Sequence, residues 1–586
     1  MVIERDGRAG RLHGRGRRLH GRAAGRRVRS RPLAVVAWTL AVALPLGFLT
    51  LFFLWPVLAL VATGFTEGTA EGARLDLTGI PEVFSEPRTW RVIGQTLAQA
   101  GAGTILSLLL GVPAAFVLYR LRFPGRGPLR ALLTVPFVLP TVVVGVAFAA
   151  LLGPGGPLAW LGLDQGFVAI VLALAFFNVT VVMRTVGGFW AQLDPRPEQA
   201  ARMLGAGPAR VWWTITLPAL TPAIASAAAL VFLFCATSFA VVLVLGGRRF
   251  STVETEIYRL TMQFLDLRSA AVLALVQFAI VALAMVVSSG LRRRRERAIA
   301  MSFRGLRAAR PRLAHLPVIL CFAATVLLLH ALPVLTLVAR SLRDTAGRWT
   351  LAHYRHLFAP PEGSALQGGV LDAILLSLRF AAVATLLAVV LGALTALVLS
   401  RRPRSRTLRR GIEFLDGAVM LPLGVSAVTL GFGLLLTMHR PLGIGFDLRT
   451  SIVLIPIAQA LVALPLVLRT LLPALRGIDP RLRDAAAMLG ASPLRVLATI
   501  DLPMLGRSAG LALGFAAAAA LGEFGATSFL VRPGAQTLPV AIGDLIGRQG
   551  ADNYGMALAA AVLLGVMVTG IMLLAERWRG TGVSEW

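Results

Sequence analysis

The sequence predicts an all-α, polytopic membrane protein of about twelve transmembrane helices in two homologous six-helix halves. Three observations carry that prediction. Of the 586 residues, 56% are hydrophobic and only 15% charged, too little polar surface for a soluble chain of this length. The apolar residues fall in long runs separated by short arginine-rich segments, and a run of ~20 apolar residues is what a helix needs to cross a ~30 Å hydrocarbon core. Finally, one polar segment occurs twice. "DPRPEQAARMLGAGPARVWWTITLP" runs from Asp194 to Pro218 and "DPRLRDAAAMLGASPLRVLATIDLP" from Asp479 to Pro503. They share Asp-Pro-Arg, Ala-Ala, Met-Leu-Gly-Ala, Pro, Arg-Val, Thr-Ile and Leu-Pro at one spacing.

The spans expected in the first half are 33–63, 92–119, 129–152, 166–190, 215–246 and 270–291, and in the second 313–339, 371–399, 413–438, 451–473, 500–530 and 554–575. Some of these runs exceed one bilayer thickness, so tilt or interfacial extension is expected. The division that follows is a basic arm (1–31), a first half (32–291) with its polar loop at 191–214, a linker (292–312), a second half (313–576) with its loop at 474–499, and a tail (577–586). The first thirty residues carry many arginines and no apolar core, which fits a basic cytoplasmic arm and not a signal peptide. The repeat extends beyond the loops: "CATSFAVVLVLGG" at 235–247 resembles "GATSFLVRPG" at 525–534, and "FVLP" at 137–140 takes the place of "VMLP" at 419–422.

The net charge is +30, and all 58 basic residues are arginine. Nucleic-acid binding is the poorer reading of that charge, because the arginines sit in short loops beside membrane spans, where they fix orientation. With a cytoplasmic N-terminus, "YRLRFPGRGPLR", "LRRRRERAIAMSFRGLRAARPR" and "SRRPRSRTLRRG" fall inside, while Glu67, Glu71, Asp76, Glu82 and Glu86 fall outside. Both termini and both copies of the repeated loop are then cytoplasmic. Cys235 and Cys321 each lie in an apolar run without metal-ligand spacing and read as small buried hydrophobes.

Each repeated loop is a poor membrane segment and a good surface helix. Asp194-Pro195 and Asp479-Pro480 offer a cap followed by proline at the first helical position. Ala200, Ala201, Ala485 and Ala486 favour helix, and Gly205 and Gly490 stand where a helix ends or turns. Small residues permit close approach of another surface. Two copies on one side of the membrane point to a partner that docks on both.

The pattern of Glu-Ala-Ala, three residues, Gly, about nine residues, an aliphatic residue and Leu-Pro, which both copies follow except at the glutamate, resembles the cytoplasmic signature of ABC importer permeases of the binding-protein-dependent, type I class, here in a fused two-half form. The resemblance implies that Gln199, Ala200, Ala201 and Gly205, with Asp484, Ala485, Ala486 and Gly490, form coupling helices that fit grooves on ATPase subunits. The family's glutamate is Gln199 in one copy and Asp484 in the other. It also implies two separate ATP-binding cassette subunits carrying ATP and magnesium, an extracytoplasmic solute-binding protein, contact with membrane lipid, and residence in the cell membrane of a bacterium, with no catalytic residue, cofactor or metal on this chain. A phosphate-binding GxxxxGK[ST] loop needs a lysine, and the sequence has none.

Intramembrane charges are few: Arg184, Arg379 and Glu523. Such groups face a cavity or pair with another polar group, so Glu523 is a candidate for the translocation path or a gate. A proton-coupled secondary transporter, the rival class with twelve spans in two halves, leans on such residues for coupling; the duplicated loop favours the importer. The stretch "TSFAVVLVLGGRRFSTVETEIYR" (237–259) resembles the fifth-span exit of thiamine permeases, with ferric-iron permeases as close relatives. Thiamine is the expected solute and ferric iron the alternative. Glu254, Glu256 and Tyr258 are expected in an outer loop, available for docking of the binding protein.

Overall fold

The computed structural model describes residues 30–578, apart from 70–71, 77, 248, 296–309, 362–363, 365, 367–368, 402–404, 442–444, 446 and 533. Nearly all of the basic arm, most of the linker and most of the C-terminal tail lie outside the described residues. Among the described residues the protein is helical, with one short hairpin pairing Thr66–Thr69 with Gly72–Leu75.

Among the described residues, nine helices are long and apolar enough to cross a membrane, and up to twelve if each of three bent pairs is one span. The bends were not legible in the apolar runs. The third span of the first half is two helices, Arg126–Val138 and Thr141–Leu152, meeting at 99°. Its counterpart, Arg406–Gly424 with Ala427–Thr437, bends by 100°. In the first case Pro140 disfavours helix at the residue before it, and Leu139 is extended (φ −61°, ψ 137°). In the second, Ser426 restarts the helix by accepting from the Val428 and Thr429 amides at 3.1 and 3.4 Å, as an N-cap does.

The fifth spans also differ from the expected 215–246 and 500–530. The first runs from Pro208 to Ala236, and the second bends by 61° between Pro493–Gly506 and Ser508–Gly522. Beyond them the chain folds into short helices, Ala240–Leu245 and Val253–Arg259 in one half, Thr527–Leu530 and Leu538–Gly547 in the other. The two halves anchor these pieces alike. The Val253 amide donates to Thr96 Oγ1 at 3.0 Å, and the Leu538 amide to Ser377 Oγ at 2.8 Å, each hydroxyl coming from the half's second long helix.

Within each half the second and fourth spans approach through a glycine. A Cβ on Gly111 would lie 2.6 Å from Val182 Cβ, and one on Gly392 would lie 2.6 Å from Val467 Cγ1; small residues allow such close helix packing in lipid. The halves are joined by exchange. The helix containing Pro56 packs on Ala427–Thr437 of the second half, and Leu332–Ser341 packs on Thr141–Leu152 of the first. Arg340 closes the latter contact by donating to the Ala150 and Pro154 carbonyls at 2.8 and 2.9 Å, a cation where the helix end leaves acceptors unpaired.

Gly431 lies where the bent helix of the second half meets Ala526. A Cβ there would sit 2.7 Å from Ala526 Cα and 2.8 Å from its carbonyl oxygen. Backbone cannot rotate aside, so overpacking of about 1–3 kcal/mol follows. Gly431→Val is expected to lower the thermal midpoint of the detergent-solubilised protein by several degrees. An unchanged midpoint would show that this contact is soft.

Candidate coupling loops and the interface between the halves

The loop helices are Arg196–Met203 and Pro480–Met488. The second begins as the sequence suggests, with Asp479 Oδ1 accepting from the Arg481 amide at 2.9 Å. The first starts one residue later, and Asp194 Oδ1 accepts from the Arg196 amide at 3.0 Å. Both end in the same way. Gly205 and Gly490 adopt φ of +82° and +81°. Around them run paired hydrogen bonds: Gly205 to Arg202 and Ala206 to Ala201, then Gly490 to Ala487 and Ala491 to Ala486, all at 3.0 Å. This is the Schellman arrangement, which places a left-handed residue just past the helix end.

The turn throws two large apolar side chains outward in each loop. Met203 and Leu204 are 89% and 88% exposed, Met488 and Leu489 89% and 90%. Gln199, Ala200, Asp484 and Ala485 are exposed, while Ala201 and Ala486 are half-buried. The two loops thus expose the same apolar pair at the same spacing.

The neighbouring charged position faces the opposite way. Glu198 accepts from Arg120 Nη2 at 2.8 Å and from Thr216 Oγ1 at 3.0 Å. Arg483, which occupies the same place in the second loop, donates to Asp501 Oδ1 at 2.7 Å and to the Leu475 carbonyl at 3.2 Å. Asp501 is fully buried and also receives Arg401 Nη2 at 2.6 Å. The sequence holds a signal for this pairing that the repeat alone did not prompt: where Glu198 becomes Arg483, "TITLP" becomes "TIDLP". Beside the first loop lies an open cavity of about 410 Å³, lined in part by Phe116, Trp190, Trp212 and His315.

The residues expected to dock the binding protein from an outer loop are largely covered by the rest of the chain. Glu254 is completely buried and Glu256 is 3% exposed. Tyr258 is half-buried. Glu256 is held by Arg88 at 2.8 and 3.0 Å and by Arg259 at 2.7 Å. Glu254 Oε2 accepts from Ser426 Oγ of the other half at 2.5 Å, while its Oε1 has no hydrogen-bond partner among the described residues. Charge in a loop defaults to water only when no distant group claims it, and here Arg88 and Ser426 do.

Glu523 ends the fifth span of the second half. Its carboxylate accepts from the Ala526 and Thr527 amides at 2.7 and 2.9 Å, and from Thr527 Oγ1. It thus holds the start of the Thr527–Leu530 helix. Next to it, Phe524 stacks on Phe239 of the first half, with centroids 5.5 Å apart and planes at 19°. Tyr258 meets Phe239 at 5.2 Å and Phe529 edge-on at 5.4 Å. The sequence offers one clear carboxylate within the spans and no tyrosine near it; in the structure Glu254 is buried as well as Glu523, and Tyr258 joins the aromatic cluster of Phe239, Phe524 and Phe529. Phe239, Phe524 and Phe529 are 6%, 5% and 3% exposed, so the seam between the halves is closed here.

Residues 107–300 match the family described as "Binding-protein-dependent transport system inner membrane component". The sulfate transport system permease protein CysT of Escherichia coli (strain K12) is 32% identical over 216 residues, covering 36% of this chain and 75% of the relative. The chain belongs to this family of ABC importer permeases. Two longer similarities run through both halves of the permease. Thiamine transport system permease protein ThiP of Brucella abortus (strain 2308) is 28% identical over 503 residues, 83% of this chain and 87% of the relative. ThiP of Escherichia coli (strain K12) is 29% identical over 511 residues, covering 84% and 91%. This permease is therefore a multi-pass inner-membrane subunit of an importer, in the fused form that carries both halves on one chain.

Proposed function

We propose that this permease imports thiamine, driven by ATP hydrolysed on two separate cassette subunits and supplied by an extracytoplasmic binding protein. The observation that carries the solute is the similarity to two thiamine permeases over more than four fifths of this chain. The seam between the halves fits that solute. Thiamine is an aromatic cation, and aromatic faces attract cations most strongly when desolvated. Phe239, Tyr258 and Phe524 gather there beside the buried carboxylates Glu254 and Glu523. A ferric ion would instead call for several hard oxygen ligands.

The coupling surface in this reading is the exposed face of each loop helix with its Met-Leu edge, Met203-Leu204 and Met488-Leu489. The arginine-rich loops and both termini are cytoplasmic, which puts both edges on the ATPase side. With the acidic candidates buried, the binding protein docks on other parts of the outer face.

Vesicles carrying the permease, its ATPase and its binding protein are expected to accumulate labelled thiamine only when ATP is supplied. Accumulation of ferric iron without thiamine would replace the solute. Uptake that follows a proton gradient and ignores ATP would replace the class of transporter.

A further inference from the structure

We infer that each coupling helix is fixed to its own half by an ion-pair clamp, and that the two clamps have opposite polarity, Glu198 with Arg120 and Thr216 in one, Arg483 with Asp501 and Arg401 in the other. The inference rests on the docking reading above and names the residues that make it mechanical.

The two sites correspond residue by residue. Glu198 and Arg483 stand four residues after the shared aspartate, and Thr216 and Asp501 stand two residues before the shared proline of "LP". Each arginine comes from the loop-side end of the second span, Arg120 as the last residue of Pro87–Arg120 and Arg401 just past Val370–Leu399. Each is braced by a tryptophan, Trp190 at 5.9 Å and Trp38 at 5.4 Å. In the first clamp the acid rides on the loop helix and the span supplies a guanidinium and a hydroxyl. In the second the acid belongs to the span and the loop helix supplies a guanidinium. Each carboxylate has both oxygens engaged: Glu198 by Arg120 and Thr216, Asp501 by Arg401 and Arg483.

The chemistry explains why the family's acidic position can drift to Gln199 and Asp484. Those side chains are exposed and do not hold the helix. The residue before each of them does, through half-buried or buried pairs that are costly to break singly and tolerant of exchange as a set. A clamp of this kind turns the loop helix and the bases of the second and fifth spans into one rigid body. Movement of a docked partner is then delivered to the spans instead of being absorbed in the loop. Glu198, Arg483 and Asp501 are positioning residues in this role.

The test grafts one clamp onto the other half. Glu198→Arg places two guanidiniums together, and is expected to cut solute-stimulated ATP hydrolysis by the full assembly in vesicles about tenfold or more. Adding Thr216→Asp rebuilds the second-half pattern around Arg120 and is expected to return activity to within about threefold of the parent. Glu198→Gln, which keeps the size of the side chain, serves if the arginine variant fails to reach the membrane. It is expected to retain ATPase binding while raising the ATP hydrolysed per solute moved. Equal loss in the single and double variants at parental membrane levels, or an unchanged ratio in Glu198→Gln, would overturn the clamp. Met488→Asp with Leu489→Asp reports on the reading beneath it. If these leave ATPase association intact, the docking assignment fails; if they abolish it while the graft does not rescue, only the clamp fails.

Discussion

Gly490→Val is expected to leave the permease in the membrane and to reduce solute-stimulated ATP hydrolysis by about tenfold, the effect of 1–2 kcal/mol of left-handed backbone strain on one docking geometry. Gly490 has φ of +81°, and a Cβ there would meet nothing within 4 Å. The penalty is therefore one of backbone conformation and not of collision. A β-branched residue relieves it by leaving the left-handed region, which undoes the paired bonds from Gly490 to Ala487 and Ala491 to Ala486. Met488 and Leu489, the most exposed apolar side chains of the loop, then point elsewhere. Asparagine tolerates the left-handed region, so Gly490→Asn is expected to keep most of the activity. Hydrolysis and pull-down of the ATPase should be measured together on all three proteins. Valine behaving like the parent would show that this turn does not present the partner surface.

Glu254→Gln is expected to flatten the pH dependence of stability between about pH 4.5 and about pH 8 and to depress solute uptake. Burial pushes the Glu254 carboxyl up from 4.5 to about 8, with the Ser426 hydroxyl pulling weakly the other way. The folded, closed seam therefore holds a proton that an opened or unfolded state releases. With a raised carboxyl the sign is fixed: the seam has its full stability below the ordinary value of 4.5 and loses it progressively as pH rises to about 8. Glutamine can take the place of the protonated acid beside Ser426 but has no proton to release. Melting curves of the solubilised parent should fall in midpoint across that window, and those of Glu254→Gln should not. Parallel curves would place the titration elsewhere. Membrane level and ATPase association are expected to be retained in Glu254→Gln while solute uptake falls.

What the sequence determined by itself was whatever local physics decides. Length of apolar run set the number of spans, and the internal repeat set their division into halves. Alanine-rich loop helices and the glycine after each were legible because helix propensity and left-handed backbone belong to single residues. The loops could be located before any contact was known. The tertiary structure alone decided the rest. An apolar run reads the same whether straight or bent by 99°, so the broken third spans followed from Pro140, Ser426 and what packs on them. Exchange of first spans depends on distant surfaces, such as Gly433 against Pro56. Glu254 and Glu256 read as solvated loop acids because their partners, Ser426 and Arg88, lie 172 and 168 residues away. Phe239 and Phe524 lie 285 residues apart and meet only when the halves are closed on one another. The clamps lie between these cases. Glu198 with Thr216, and Arg483 with Asp501, change together within the repeat, but only folding brings Arg120 and Arg401 to them, because an ion pair is a property of position in space and not of order along the chain.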